Sequence, residues 1–384
     1  MKSKELRLFS KLFFIIVASI IVNTPASSTE QSKTVTSSVT KNDLFQGMKS
    51  NSIKILGKFN CPSYLKKEGK GRCFNLLAYS GFVYNRHTGL MTQFGGGHSA
   101  TSNNSLNFYS YDKKKWVSYY EPTPCKKMLK RNFDKISGSW VSDEKPLARH
   151  TYDEILVNQN KNEFILMNPT GVKGSECGFS APNKGAVAFF DFEKEKWRFS
   201  NKKIPWGRYA MVEQDPVSGK ILVINKKKSW WFDPGFETIS KGKKHKAKGI
   251  NITQTLLYSK YNDSFYIIKG HHGYGLYKVN VNRDNLKISI KKMDGETGNL
   301  PPVDNSKSFA YDGFALDSIN HKIVGMFKGV IYAYDIPTNH WEKLEPNSPI
   351  PLSDVKAHAI DYDPVNNVFI IVDGKKNIVA YRYH

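Results

Sequence analysis

Cysteine is scarce in this sequence, with four residues in a chain of 384. No Cys-x-x-Cys pair and no cluster of cysteine with histidine occurs, which argues against a zinc site. The four are Cys61, Cys73, Cys125 and Cys177. Four thiols allow three pairings, and their spacing alone does not choose among them. An even number of cysteines without metal-site spacing agrees with disulfide bonds in an exported protein.

Long apolar runs are also lacking. Residues 12–22 form an apolar segment that is too short to span a bilayer. Four basic residues precede it, small residues follow at 25–28, and this order is typical of a signal peptide. We therefore predict a signal peptide at 1–26, a disordered leader at 27–42 and one folded domain at 43–384. The mature protein would be secreted or periplasmic, with no transmembrane segment and, since no cysteine follows the apolar run, no lipid anchor.

Acidic residues are few: 34 Asp and Glu stand against 57 Lys and Arg, and the formal net charge is +23. In an exported protein such a field favours anionic partners, namely acidic polysaccharide, an anionic cell surface or nucleic acid. The alternative is that lysine runs such as 113–115 and 226–228 lie at turns and only aid solubility. No nucleic-acid recognition motif is present, so we favour an acidic polysaccharide or another anionic surface ligand, with a protein partner as the alternative.

A signature of aromatic residues, Asp, a short polar stretch and Trp recurs along the chain. It occurs at Tyr111-Asp112 with Trp116, at Phe190-Asp191 with Trp197, at Tyr334-Asp335 with Trp341, and more weakly at Phe232-Asp233. Each copy follows an apolar run of strand length. Self-similar, strand-sized pieces at a period of roughly 40–50 residues are typical of a β-propeller.

The repeats predict an all-β fold of six four-stranded antiparallel blades, with seven as the alternative if a long insertion contains one more. The sixth blade lacks a fourth strand at the C-terminus. Residues 52–59 alternate between apolar and polar types. We expect this N-terminal segment to supply the missing strand and to close the ring, which removes the open sheet edges.

The first repeat resembles a kelch motif, with Tyr79 to Tyr84, then Phe94-Gly95-Gly96-Gly97-His98, then Tyr111-Asp112 and Trp116. The chain is similar to the galactose-oxidase/kelch-like β-propeller superfamily. This resemblance implies the fold and hardly constrains function. A copper radical oxidase of this superfamily needs a Tyr cross-linked to a Cys, another Tyr and two His. We find no matching set, and the cysteines suit disulfides, so we predict no cofactor and no metal.

Strand direction alternates within a blade, so first-strand starts and second-strand ends lie on one face. That face collects the candidate residues, which are His98, Arg149, His150, Arg208, Tyr209, Lys269, His271, His272, Tyr274, Lys307, Lys356 and His358. The insertions 122–147 and 169–185 emerge there too, and each contains one cysteine. We therefore predict the disulfide Cys125–Cys177, which leaves Cys61 and Cys73, both before the first blade, to pair with each other.

The first functional hypothesis is a polysaccharide lyase that acts by β-elimination. This chemistry needs a cation against the uronate carboxylate, a base and an acid. Arg208 is the predicted cation, with Arg149 as second choice; the base would be His98, His150 or His271, and the acid Tyr209 or Tyr274. Predicted substrate-binding residues are Arg149, His272, Lys269, Lys307, Lys356 and His358. Some propeller-fold lyases use Arg, His and Tyr on this kind of face.

The alternative hypothesis is a non-catalytic module that binds an anionic glycan or a protein partner on the same face. It requires only positive charge and aromatic groups. A glycosidase has less support, because acidic residues on this face, such as Asp153 and Glu176, are few and unpaired in the sequence.

Overall fold

Antiparallel β-strands make up nearly all of the regular structure of this chain. A computed structural model describes residues 40–60, 80–95, 103–158, 160–168, 177, 185–207, 209–248, 250, 254–269, 275–293, 297–298, 301, 313–327, 329–353 and 355–384. The predicted signal peptide and nearly all of the predicted leader lie outside these residues. No helix of the described residues is both long and apolar enough to cross a membrane.

The N-terminal part of the described chain contains one lone strand, one complete sheet and one small sheet. A 3-10 helix, η1 (Asp43–Phe45), precedes β1 (Ser52–Lys58). Sheet 1 consists of β2 (Val83–Asn85), β3 (Leu90–Phe94), β4 (Leu106–Ser110) and β5 (Lys115–Ser118). The insertion that follows contains η2 (Cys125–Lys127), η3 (Lys130–Asn132), β6 (Phe133–Asp134), β7 (Ser139–Trp140) and β8 (Lys145–Pro146), the last three forming a small sheet.

Sheets 2 and 3 follow in chain order. Sheet 2 consists of β9 (Ile155–Val157), β10 (Glu163–Leu166), β11 (Ala186–Asp191) and β12 (Lys196–Lys203). Sheet 3 consists of β13 (Met211–Gln214), β14 (Ile221–Ile224), β15 (Lys228–Asp233), β16 (Thr238–Ile239) and β17 (Lys243–Lys244). Both β16 and β17 pair with β15.

Sheets 4 to 6 complete the chain. Sheet 4 consists of β18 (Thr255–Ser259), β19 (Ser264–Lys269), β20 (Gly275–Asn282) and β21 (Lys287–Lys292). Sheet 5 consists of β22 (Thr297–Gly298), β23 (Phe314–Asp317), β24 (Lys322–Phe327), β25 (Val330–Asp335) and β26 (His340–Leu344), with β22 parallel to β26. Sheet 6 consists of β27 (Val355–Asp363), β28 (Val368–Asp373), β29 (Asn377–Arg382) and β1.

The N-terminal strand completes sheet 6. β1 pairs antiparallel with β29, with Ile53 opposite Tyr381 and Ile55 opposite Val379. The prediction that residues 52–59 supply the strand missing at the C-terminus is confirmed by this pairing.

The first strands of the six larger sheets contact one another in cyclic order, β2 to β9, β13, β18, β23, β27 and back to β2. The sheets therefore surround a central cavity, and the fold is all-β and propeller-like. We call the side where first strands begin and second strands end the insertion face. The opposite side, where turns join first to second strands, is the turn face.

Apolar cores lie between neighbouring sheets. Phe94 of sheet 1 meets Trp197 of sheet 2 with ring centroids 5.6 Å apart, and Phe189 of sheet 2 meets Phe232 of sheet 3 at 6.1 Å. Sheet 2 is thus packed against a neighbour on each face, which agrees with the apolar residues of middle strands such as β14 of sheet 3.

The repeated Asp and Trp have structural roles in these sheets. Asp191 Oδ1 accepts hydrogen bonds from the backbone N–H groups of Glu193 and Lys194, both at 3.0 Å, and so fixes the turn between the third and fourth strands. The Trp that ends the signature is buried on the fourth strand, as at Trp197 and Trp341. The repeated aromatic-Asp-Trp signature therefore stabilises the fold.

Two first strands begin later than the sequence predicts. The sequence places strand residues from His150 and from residue 208, whereas β9 begins at Ile155 and β13 at Met211. The reason is a positive φ, 45° at Tyr152 and 67° at Tyr209, which interrupts an extended strand. Tyr152 and Tyr209 therefore lie in loops at the insertion face.

Candidate functional site

A cavity of about 600 Å³ lies inside the ring of first strands. This volume is within the usual range of ligand-binding pockets. At the insertion face its walls include Tyr152, Thr255 and His358, and at the turn face they include Arg86 and Lys260. The cavity therefore runs along the axis of the sheets and has chemically different ends.

Tyr152 is the centre of an aromatic and imidazole cluster at the insertion face, which we call the mouth cluster: His150, Tyr152, Tyr209 and His358. Ring centroids lie 4.9 Å apart for Tyr152 and Tyr209, 5.6 Å for Tyr152 and His150, and 6.4 Å for Tyr152 and His358. His150 Nδ1 is 3.2 Å from Tyr152 Oη. Three residues predicted from the sequence, His150, Tyr209 and His358, thus converge on a fourth that was not predicted.

The backbone that holds the mouth cluster is strained. A positive φ is uncommon for a large aromatic residue, and both Tyr152 and Tyr209 have one. Only glycine fits at residue 81 beside Tyr152, because a Cβ there would lie 2.2 Å from the Tyr152 carbonyl oxygen. Strain of this kind is typical of functional sites.

Burial keeps His358 neutral. Its side chain is 6% exposed, and desolvation lowers its pKa to about 4. Its Nδ1 has no hydrogen-bond partner among the described residues. At neutral pH this imidazole therefore carries no positive charge.

Three carboxyl groups line the cavity: Asp153 of the loop before β9, Glu213 of β13 and Asp361 of β27. Each keeps some contact with the cavity space while protein surrounds its other sides. Desolvation raises the pKa of Glu213 to about 8, that of Asp361 to about 6 and that of Asp153 well above its ordinary range. The positive charge of Arg86 acts in the opposite direction on Glu213 and Asp361.

Backbone N–H groups of other sheets fix two of these carboxyls. Asp153 Oδ2 accepts from the Leu256 N–H at 3.1 Å, and Asp361 Oδ2 accepts from the Tyr84 N–H at 2.6 Å. Among the described residues, no three His, Cys, Asp or Glu side chains are close enough to hold a metal ion. The cavity carboxyls are thus positioned across sheet boundaries and do not form a chelating group.

The side chain of Arg149 points into the protein. Its side chain is 1% exposed, and its guanidinium donates to the carbonyl oxygens of Asn168 at 2.7 Å, Ala186 at 3.2 Å and Gly138 at 3.3 Å. Burial lowers its pKa to about 10. In this arrangement Arg149 joins the insertion to sheet 2, and it does not reach the surface as a substrate-binding cation would.

The insertion is fastened to the sheets at two further points. Asn104 Nδ2 donates to Thr123 Oγ1 and to the Pro146 carbonyl, both at 2.9 Å. The disulfide Cys125–Cys177 links the insertion to the connection between β10 and β11, and that pairing confirms the prediction. A fastened insertion gives the insertion face a fixed wall beside sheet 2.

The other predicted residues are not described. His98, Arg208, His271, His272, Tyr274 and Lys307 lie outside the described residues, as do Cys61 and Cys73. Lys269 ends β19 and Lys356 lies in β27, and only their backbones are described. Their assigned roles therefore stay predictions.

Sequence reasoning missed Tyr152, Glu213, Asp361 and Arg86. The available signal was an acidic residue inside an otherwise apolar first strand, as in Met211-Val212-Glu213 and Ile360-Asp361-Tyr362. In a propeller-like fold, such a residue faces the cavity. Tyr152 gave no comparable signal, because its position depends on the turn that delays β9.

Comparisons with known proteins give a fold and no family. No protein-family model and no curated protein sequence matches this chain. An auxiliary nutrient binding protein of Bacteroides thetaiotaomicron VPI-5482 is similar in structure, with a TM-score of 0.52, 9% identity, and coverage of 85% of this chain and 75% of that chain. At this identity the likeness shows a shared fold alone.

Two further solved structures are similar at lower scores. A structural genomics protein of unknown function from the same organism has a TM-score of 0.47 and 13% identity, and the match covers 86% of this chain and 75% of that chain. Hydrazine synthase of Kuenenia stuttgartiensis has a TM-score of 0.43 and 8% identity, with coverage of 79% and 82%. Neither match indicates a function for this chain.

Proposed function

We propose that this protein is an exported, six-bladed, kelch-like propeller that binds an acidic polysaccharide across its insertion face. The convergence of His150, Tyr209 and His358 on Tyr152 at the insertion-face end of the cavity carries this proposal. Aromatic faces beside imidazoles provide the stacking and hydrogen bonding that sugar rings need. A similar fold is described for an auxiliary nutrient binding protein, which is compatible with a binding role.

The charges on the two sides of the mouth favour a ligand that lies across the face. The insertion exposes Lys126, Lys127, Lys130 and Arg131. Asp153, Glu213 and Asp361 line the cavity, and any of them that is ionised repels an anion. An acidic chain would therefore contact the mouth cluster and the basic insertion without threading through the cavity.

Binding is tested by calorimetric titration of the purified protein with fragments of alginate, pectate, ulvan and glycosaminoglycans. Tyr209→Ala should weaken binding roughly tenfold, which corresponds to about 1.4 kcal/mol, because the more exposed of the two tyrosine rings in the mouth cluster is lost. Tyr152→Phe keeps the ring of a buried residue and removes its hydroxyl. It therefore tests the contact between Tyr152 Oη and His150 without creating a cavity. Phe236→Ala, which removes an 83% exposed aromatic at the turn face, is the matched control.

The proposal is wrong if no fragment binds to the wild-type protein, or if Phe236→Ala and Tyr209→Ala weaken binding equally. In the second case aromatic contact is not localised at the mouth.

β-Elimination is the second candidate function. The 3.2 Å approach of His150 Nδ1 to Tyr152 Oη favours it, because an imidazole beside a phenol supplies groups that can move a proton. Tyr209 remains a candidate acid and Arg208 the candidate cation. We expect newly formed unsaturated uronates to raise the ultraviolet absorbance, and Arg208→Ala to abolish the rise while the circular dichroism spectrum stays unchanged. A polymer that binds but stays chemically intact would exclude the lyase and support only the binding function.

A further inference from the structure

Sheet 3 carries a dense group of lysines, which we call the lysine patch: Lys226, Lys227, Lys228, Lys241, Lys243, Lys244, Lys246 and Lys248. The first three follow the end of β14, and the others follow β16, so both segments lie at the insertion face. All are exposed except Lys243, which is half-buried. The patch is therefore a continuous basic surface on the face that holds the mouth cluster.

Strand pairing places these ammonium groups side by side. β17 pairs with β15 so that Lys228 lies opposite Lys244 and Ser229 lies opposite Lys243. Like charges directly opposite in an antiparallel pair are destabilising. Such a pairing is unfavourable for the free protein and becomes favourable when an anion lies between the charges.

Two polar residues hold the lysine segments together against this repulsion. His245 Nε2 lies 2.8 Å from the Asn225 carbonyl oxygen, and the His245 N–H donates to the Lys227 carbonyl at 3.3 Å. Asn225 Oδ1 accepts from the N–H groups of Lys227 and Lys228, both at 3.0 Å. The lysines thus project from a fixed backbone, which reduces the entropy that a ligand must remove on binding.

No acidic partner compensates the patch within the part of the chain that the structure describes. None of the eight lysines makes an ion pair there; Lys243 Nζ donates to the Asn285 carbonyl. Asp233 and Glu237 are the acidic residues of 226–248, and both are used elsewhere. Asp233 accepts from backbone N–H groups in the turn at the other end of β15, and Glu237 pairs with Arg198.

We propose that the lysine patch binds the carboxylate or sulfate groups of a linear acidic polysaccharide, an inference that rests on the binding function proposed above and names the surface that carries it. The patch exposes ammonium groups and no aromatic ring, since Trp230 and Trp231 are buried. Single-stranded nucleic acid is usually bound by stacking platforms as well as charge. A glycan with repeated anionic groups needs only the charges.

The test compares two triple variants that remove the same charge. Lys228→Gln/Lys244→Gln/Lys246→Gln changes the patch, and Lys113→Gln/Lys114→Gln/Lys115→Gln changes an exposed lysine run at the turn face of sheet 1. Dissociation constants for size-defined heparin and oligogalacturonate fragments are measured over a range of salt concentrations. We expect the patch variant to weaken binding at least tenfold and to reduce the slope of log Kd against log salt by roughly 2, because three ion contacts are lost. The control variant should change Kd less than twofold.

Each result decides the matter. Equal losses in both triple variants would mean that only the overall charge matters, and no loss in the patch variant would remove the patch from the binding surface; either result overturns the inference. If Tyr209→Ala weakens binding while the patch variant does not, the proposed function stands and the patch inference fails. If the wild type binds no glycan fragment, both fail. Equally tight, patch-dependent binding of oligo-dT would replace the glycan with nucleic acid.

Discussion

Glu213 and His358 face one cavity, and their pKa values shift in opposite directions. The pKa of Glu213 rises from 4.5 to about 8, so its contribution to stability is present below pH 4.5 and is lost as the pH rises towards 8. The pKa of His358 falls from 6.5 to about 4, so its contribution is present above pH 6.5 and is lost as the pH falls towards 4. The two effects oppose each other between pH 4.5 and 6.5.

Above pH 6.5 His358 no longer offsets the effect of Glu213. We therefore expect the free energy of unfolding to fall between pH 6.5 and pH 8. Glu213→Gln should flatten this decline, since the amide does not ionise. Glu213 keeps contact with the cavity, so the effect should be smaller than full burial would give. Urea denaturation across this pH range provides the measurement, with the exposed Glu193→Gln as control. A decline of the same slope in Glu213→Gln would show that the carboxyl is already solvated in the folded protein.

The insertion between β5 and β9 is held to the sheets by contacts that are spread along its length. Arg149 binds the carbonyl of Gly138, Asn104 binds Thr123 and Pro146, and the disulfide holds Cys125. Its own core is small, formed by Met128, Phe133, Trp140 and Leu147. An element with so little core depends on these links for its order.

Arg149→Ala should therefore destabilise the protein by about 3 kcal/mol, because three buried carbonyl groups lose their charged donor. Amide hydrogen exchange should accelerate first in 125–147, with sheets 3 to 5 unchanged. Arg131→Ala, which removes an exposed arginine from the same insertion, should change neither quantity. If Arg149→Ala leaves exchange in the insertion unaltered and weakens glycan binding, the result would support the predicted role of Arg149 in ligand binding and contradict the structural role.

Sequence patterns that repeat locally predicted the all-β, propeller-like fold. Residues 52–59 alternate as a strand does, and they form β1; the aromatic-Asp-Trp signature marks the third and fourth strands. The site was harder, because its groups come from separate sheets and meet only when the ring closes. Glu213 and Asp361 are far apart in sequence, and a one-residue shift in register would turn either side chain away from the cavity. The direction of Arg149 likewise depends on Gly138 and Ala186, which no local pattern specifies.

Closure of the ring by β1 gives a prediction for the molecule as a whole. Ile53, Leu56 and Phe59 are buried, and burial of three such side chains contributes roughly 5 kcal/mol or more. This is comparable to the whole stability of many domains, about 5–15 kcal/mol. A chain that starts at residue 60 should therefore unfold at a much lower temperature, and the free edge of β29 should cause it to associate. A chain that starts at residue 40 keeps β1 and is the control. Thermal unfolding and light scattering after gel filtration report the two effects; a monomer of unchanged melting temperature without residues 40–59 would mean that sheet 6 is stable with three strands.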